Sequence, residues 1–190
     1  TVFGCVGTGG RPMGWSGGTI ADGTLFLGSM KSKLVAVNIA DNSFRSSEPL
    51  KAKQAGGFGC APTSTGVAIY GTPAVAGDLV YVGGYNGKIY ALNSSSLVTR
   101  WVYPREGYLQ PIVGGPVASQ GKVYIGCSDG KVYALDAATG DQEWDSPFQT
   151  GGKIWSTSAI DSDTLYIGSI DKKLYAIDAI TGKEKWEPFE

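Results

Sequence analysis

At 190 residues the chain can form one domain, or two small ones, around a substantial core. A hydrophobic share of 42% and a charged share of 17% exclude a disordered chain, and a formal net charge of −1 argues against a general nucleic-acid binder. The absence of histidine excludes a Ser-His-Asp triad, and no apolar stretch approaches the ~20 residues that span a bilayer.

The 29 glycines and 9 prolines, set among Val, Ile, Tyr and Thr, predict many short strands joined by tight turns. Near the start, GTGGRPMG (residues 7–14) lacks the G-K-[ST] of a phosphate loop and reads as a connection. GWSGG (residues 14–18) has the spacing of a nucleophile elbow, but no helix follows it. Ser16 is therefore predicted to be structural.

Four segments then align: GTLFLGSMKSKLVAVN from Gly23, GDLVYVGGYNGKIYALN from Gly77, GKVYIGCSDGKVYALD from Gly121 and DTLYIGSIDKKLYAID from Asp163. Their shared glycine is Gly28, Gly83, Gly126 and Gly168, at spacings of 55, 43 and 42. The extra length of the first interval falls near residues 46–57. Within each copy, alternating apolar residues run into a turn and resume after it, which predicts a hairpin. Asn86-Gly87 and Asp129-Gly130 are the strongest turn signals, expected with positive φ at both central residues.

A short strand is predicted before each hairpin and a further one after it. Trp101, Trp144 and Trp186 each stand 18 residues after the shared glycine, a place that this count gives to Ser46 in the first copy. Four strands per ~42 residues describe a β-propeller blade. The boundaries expected are 17–57, 58–101, 102–144 and 145–190, with 1–16 as the outer strand of a preceding blade and a connection. Asp136 and Asp178 repeat with the period, so they are read as turn caps. Cys5, Cys60 and Cys127 are odd in number and match no zinc spacing; Cys5 and Cys60, one blade apart, are expected free, and no metal ligands stand out.

YALDAATGDQEW and YAIDAITGKEKW, preceded by VYIGCSDGK and LYIGSIDKK, resemble the PQQ-like propeller repeat. That repeat is shared by quinoprotein dehydrogenases and by a non-catalytic outer-membrane assembly lipoprotein, and the chain looks nearer the second type. The resemblance implies an all-β propeller of about four four-stranded blades, an arc or excerpt of a seven- or eight-bladed ring. It also implies that Trp101, Trp144 and Trp186 dock between blades.

In the dehydrogenases the quinone lies over the central funnel, near a tryptophan. Trp15, Tyr70, Val113 and Trp155 are equivalent residues where the chain approaches each innermost strand. Arg11, Trp15, Tyr70, Tyr108, Gln110, Lys153 and Trp155 are thus the funnel candidates for a ligand. The dehydrogenases also use a calcium site, an aspartate base and often adjacent cysteines. This sequence has no adjacent cysteines, and no catalytic residue is assigned.

The expected function is a non-enzymatic binding or scaffold module for a protein or small ligand, acting through the funnel or inter-blade loops. The alternative is a fragment of a dehydrogenase, and PQQ with calcium belongs only to that alternative. Self-association completing the ring, no nucleic-acid partner, no membrane insertion and a periplasmic or extracellular location complete the expectation.

Overall fold

The computed structural model describes residues 16–50 and 67–189, which form sixteen strands. The first sheet contains β1 (Gly18–Ala21), β2 (Thr24–Gly28), β3 (Leu34–Asn38) and β4 (Phe44–Ser46). The second contains β5 (Ala74–Ala76), β6 (Leu79–Gly84), β7 (Lys88–Asn93) and β8 (Thr99–Tyr103). The third contains β9 (Val117–Ser119), β10 (Lys122–Gly126), β11 (Lys131–Asp136) and β12 (Phe148–Gln149). The fourth contains β13 (Ala159–Asp161), β14 (Thr164–Gly168), β15 (Leu174–Asp178) and β16 (Glu184–Phe189). Each sheet is an antiparallel meander in chain order, one blade of a β-propeller.

Alternation sets which face each side chain takes. Phe26, Leu34 and Ala36 of the first blade share a core with Val80, Val82, Tyr90 and Leu92 of the second. The same arrangement recurs between the second and third blades, and between the third and fourth. Burying each large apolar side chain contributes about 1.5–3 kcal/mol, so the blade-to-blade joints carry most of the stabilisation. The shared glycine belongs to these joints. A Cβ at Gly126 would stand 2.2 Å from Cγ2 of Ile154 in the next blade.

The central hairpin strands of the second blade are almost fully buried, whereas the outermost blades are covered on one face only. Leu25, Leu27, Val35 and Val37 are half-buried on the first blade, although their equivalents Val80, Val82, Tyr90 and Leu92 are fully buried. On the fourth blade, Tyr166 and Leu174 are similarly uncovered, while Tyr124 and Val132 in the same places are not. The described blades form an open arc.

Two local expectations change. The β6–β7 and β10–β11 turns have positive φ only at Gly87 and Gly130, not also at Asn86 and Asp129. In the third blade, Cys127 N–H donates to the Lys131 carbonyl and Gly130 N–H to that of Cys127. This is a three-residue loop ending in a left-handed residue, a geometry that Ser32 and Lys172 also adopt. Secondly, the outer strands of the second and fourth blades run past their tryptophans, to Tyr103 and Phe189, and each carries a one-residue bulge just before its tryptophan.

Candidate functional site: the docking turns and the axial cleft

The turns after the third strands are built by side chains. The Asp136 carboxylate accepts the Ala138 and Thr139 N–H groups at 2.9 and 2.7 Å, and Asp178 accepts those of Ile180 and Thr181. These bonds, led by the Thr139 and Thr181 N–H groups, hold both carboxyls below the usual range. Asn93 caps its own turn in the same way. The caps present the carbonyls of Ala137 and Ala179 to the preceding blade.

Trp101 Nε1–H donates to the Ala137 carbonyl at 2.9 Å, and Trp144 Nε1–H to that of Ala179 at 3.1 Å. The Tyr81 and Tyr124 hydroxyls donate to the same two carbonyls, and each ring lies beside its tryptophan. Burial pushes both tyrosine hydroxyls up to about 12, so they stay protonated donors. Trp186 departs from its expected packing. It keeps its ring partner, Tyr166, but is 41% exposed, because no described blade follows to cover it.

The first joint is also different. Register places Arg45, not Ser46, opposite Ala36, as Trp101 stands opposite Ala91 and Trp186 opposite Ala176. β4 lacks the bulge residue, so counting from Gly28 overshoots by one. The Arg45 guanidinium donates to the Ser94 carbonyl at 3.0 Å, the counterpart of the tryptophan bonds.

At the axial face, the loops before the innermost strands meet the hairpin loops. A cleft of about 180 Å3 is lined by Tyr85, Gln110, Pro111, Val113, Ser128, Lys153 and Trp155. Trp155 is 51% exposed, and its Nε1–H donates to the Ser128 hydroxyl at 3.0 Å. Ser128 N–H donates to the Pro111 carbonyl, which ties the second connection to the third hairpin loop. Tyr70 stacks edge-on against Tyr85 at 5.4 Å. Gln110, Lys153 and Trp155 therefore line one cleft, with Tyr70 backing its wall.

Tyr108 lies elsewhere, over Lys88 in a cleft on the outer part of the second blade, because its connection folds back towards Lys88. Arg11 and Trp15 lie outside the described residues, as do Cys5 and Cys60. Cys127 is buried near the Gln110 carbonyl, and burial raises its thiol to about 12, an inert state. Ser16 is structural: its hydroxyl oxygen accepts the Gly28 N–H at 2.7 Å, and the Ser156 hydroxyl bonds the Gly168 carbonyl.

Tyr85 and Ser128 are cleft residues that the sequence reading misses. Both stand two residues after the shared glycine, with Met30 and Ile170 in the equivalent places. Three of these four are large exposed apolar residues, a periodic signal for a loop face that binds rather than packs. Among the described residues, no group of three His, Cys, Asp or Glu side chains is placed to hold a metal ion. No helix among them is long and apolar enough to cross a membrane.

Blades of this repeat, joined by tryptophan docking, define a PQQ-like β-propeller. The chain belongs to the outer membrane protein assembly factor BamB family, whose model matches residues 7–188. The BamB structure from Moraxella catarrhalis is similar at 22% identity and a TM-score of 0.72, covering 92% of this chain and 53% of that one. The chain thus spans about half the length of that relative. Quinohemoprotein alcohol dehydrogenase from Comamonas testosteroni is similar at 21% identity and a TM-score of 0.68, covering 94% of this chain and 35% of that one. The computationally designed Ika4 protein matches at 13% identity and a TM-score of 0.70, covering 90% of this chain and 93% of that one. No curated protein sequence matches the chain.

Proposed function

We propose that the chain is a non-enzymatic binding module of outer-membrane protein assembly, acting outside the cytoplasm, with the axial cleft as its contact for a protein segment. The family supports the assembly context. The cleft lining carries the binding reading: exposed Trp155 and Tyr85 offer large, rigid apolar contacts, and Gln110, Ser128 and Lys153 offer polar ones. Trp and Tyr of this kind dominate the energetics of protein contacts.

The dehydrogenase relatives make PQQ with calcium the alternative. The described lining does not fit that pair. A calcium site draws on carboxylate oxygens to balance the ion's charge, whereas the lining of this cleft contains no Asp or Glu and includes the cation Lys153. No catalytic step is assigned.

The test is to titrate the purified chain with PQQ and calcium while following its melting temperature and dye reduction in the presence of an alcohol. An unchanged melting temperature and no dye reduction are expected. A specific binder at 100 times its Kd adds about 2.7 kcal/mol, so a rise of several degrees would be visible and would overturn the non-enzymatic reading.

A further inference from the structure

A second cleft, sharing no lining residue with the axial one, opens beside the outer strand of the second blade. It has a volume of about 460 Å3, within the range of natural ligand sites. One wall is Glu48, Pro49 and Leu50, fixed by the Leu50 N–H bond to the Ser32 carbonyl and by the Ser47 hydroxyl at Leu34 N–H. The other wall is formed by Tyr90 and Val102 with the connection that carries Arg105 and Tyr108.

Lys88 lies between these walls and is only 9% exposed. Its ammonium donates to the Pro104 carbonyl and sits 4.9 Å from the centre of the Tyr108 ring. Among the described residues, no carboxylate forms an ion pair with it. Burial lowers its pKa, as expected for a cation without a counter-charge. The adjoining residues 51–66 carry no Asp or Glu, so that stretch has no carboxylate side chain to offer. Glu48 stands in the opposite wall but forms no ion pair with Lys88; a buried charge without a paired opposite is costly, and an incoming anion relieves that cost.

We propose that this cleft is a binding site for an acidic side chain of a peptide, held between apolar neighbours. The carboxylate meets Lys88, and the flanking side chains lie on Leu50, Val102 and the Tyr108 ring. Arg105 stands at the rim, paired with Asp141 at 2.6 Å. Glu48 in the opposite wall repels any anion, a phosphate dianion more than a single carboxylate, and so favours the singly charged group of the two. This site does not depend on the axial cleft.

The probe is the capped tripeptide acetyl-Leu-Glu-Phe-amide, compared with its Gln analogue, titrated into the intact chain and followed by backbone amide NMR. Shifts confined to the cleft lining, Leu50, Lys88, Tyr90, Val102, Arg105 and Tyr108 among it, are expected, with the Gln analogue at least tenfold weaker. Lys88→Met should abolish the preference for Glu over Gln while leaving the melting temperature equal or higher. Equal binding of the two peptides to the native chain, shifts elsewhere, or no binding at millimolar peptide would overturn the proposal. The Glu-against-Gln comparison needs no variant, so a folding failure of Lys88→Met leaves the test intact.

Discussion

Arg45 donates to the carbonyl of Ser94 at 3.0 Å, the place in the blade joint where Trp101 and Trp144 bond Ala137 and Ala179 in the next two joints. A planar cation with a long apolar stem thus does at one joint what an indole does at the others. The residue facing it changes as well. Leu97 occupies the turn position of Gly140 and Gly182, all three at positive φ, and its side chain is buried in the first inter-blade core.

The energetic weights of these joints differ. Trp144 is 3% exposed, so Trp144→Ala should cost about 3–5 kcal/mol. Arg45 is exposed, and Arg45→Ala should cost about 1 kcal/mol, the net value of one hydrogen bond. Phe44→Ala, on a side chain that is almost bare, should be close to neutral. Thermal denaturation of the three variants checks the order, and equal melting temperatures would contradict docking.

Gly182 is required by Trp144 as well as by its own backbone. A Cβ there would stand 2.6 Å from Cδ2 of the indole, at a φ of +71°; at Gly121, with a φ of +74°, nothing lies within 4 Å. Gly121→Ala should therefore show backbone strain alone, about 1–2 kcal/mol. Gly182→Ala should add an overpacking cost of about 1–3 kcal/mol. Chemical denaturation of the pair would refute the contact if both lost the same stability.

The turn caps predict an acid limb. Asp136 and Asp178 titrate below their unfolded values, so their stabilisation is complete above pH ~4 and is lost as the pH falls through their folded pKa values. The melting temperature should drop below pH ~4. A double variant, Asp136→Asn with Asp178→Asn, keeps the turn bonds as Asn93 does but has no charge to lose, so its acid limb should be shallower. Identical acid limbs would contradict this.

Much of this architecture was legible from the chain. The shared glycine, the alternation around it and the Asp-capped turns all depend on residues a few positions apart, so their period survives in the sequence. The docking role of Arg45 was not legible, because a one-residue bulge is present before Trp101 and absent before Arg45. The exposure of Trp186 was also hidden: the 18-residue count describes its strand and not the neighbour that covers it. The axial cleft gathers Tyr85, Gln110, Ser128 and Lys153 from separate loops. Spacing along the chain suggested Gln110 and Lys153, yet it placed Tyr108 with them.

The partly exposed faces at the two ends of the described arc are complementary in the sense of every inner joint. Leu25, Leu27, Val35 and Val37 present one half, and Tyr166, Leu174 and Trp186 the other. In solution the 190-residue chain should associate head to tail through them. Size exclusion with light scattering should show species above the 19.9 kDa monomer, reduced by Trp186→Glu. A single stable monomer would contradict that association.

The most direct test of the binding role is a photo-reactive amino acid placed at position 155 and activated in intact cells with the chain in the envelope. Position 180, an exposed site on a turn of the fourth blade outside the cleft, serves as the control. The account predicts a cross-link from position 155, absent from position 180, to a component of the outer-membrane protein assembly machinery identified by mass spectrometry. No cross-link from position 155, or the same products from both positions, would contradict it.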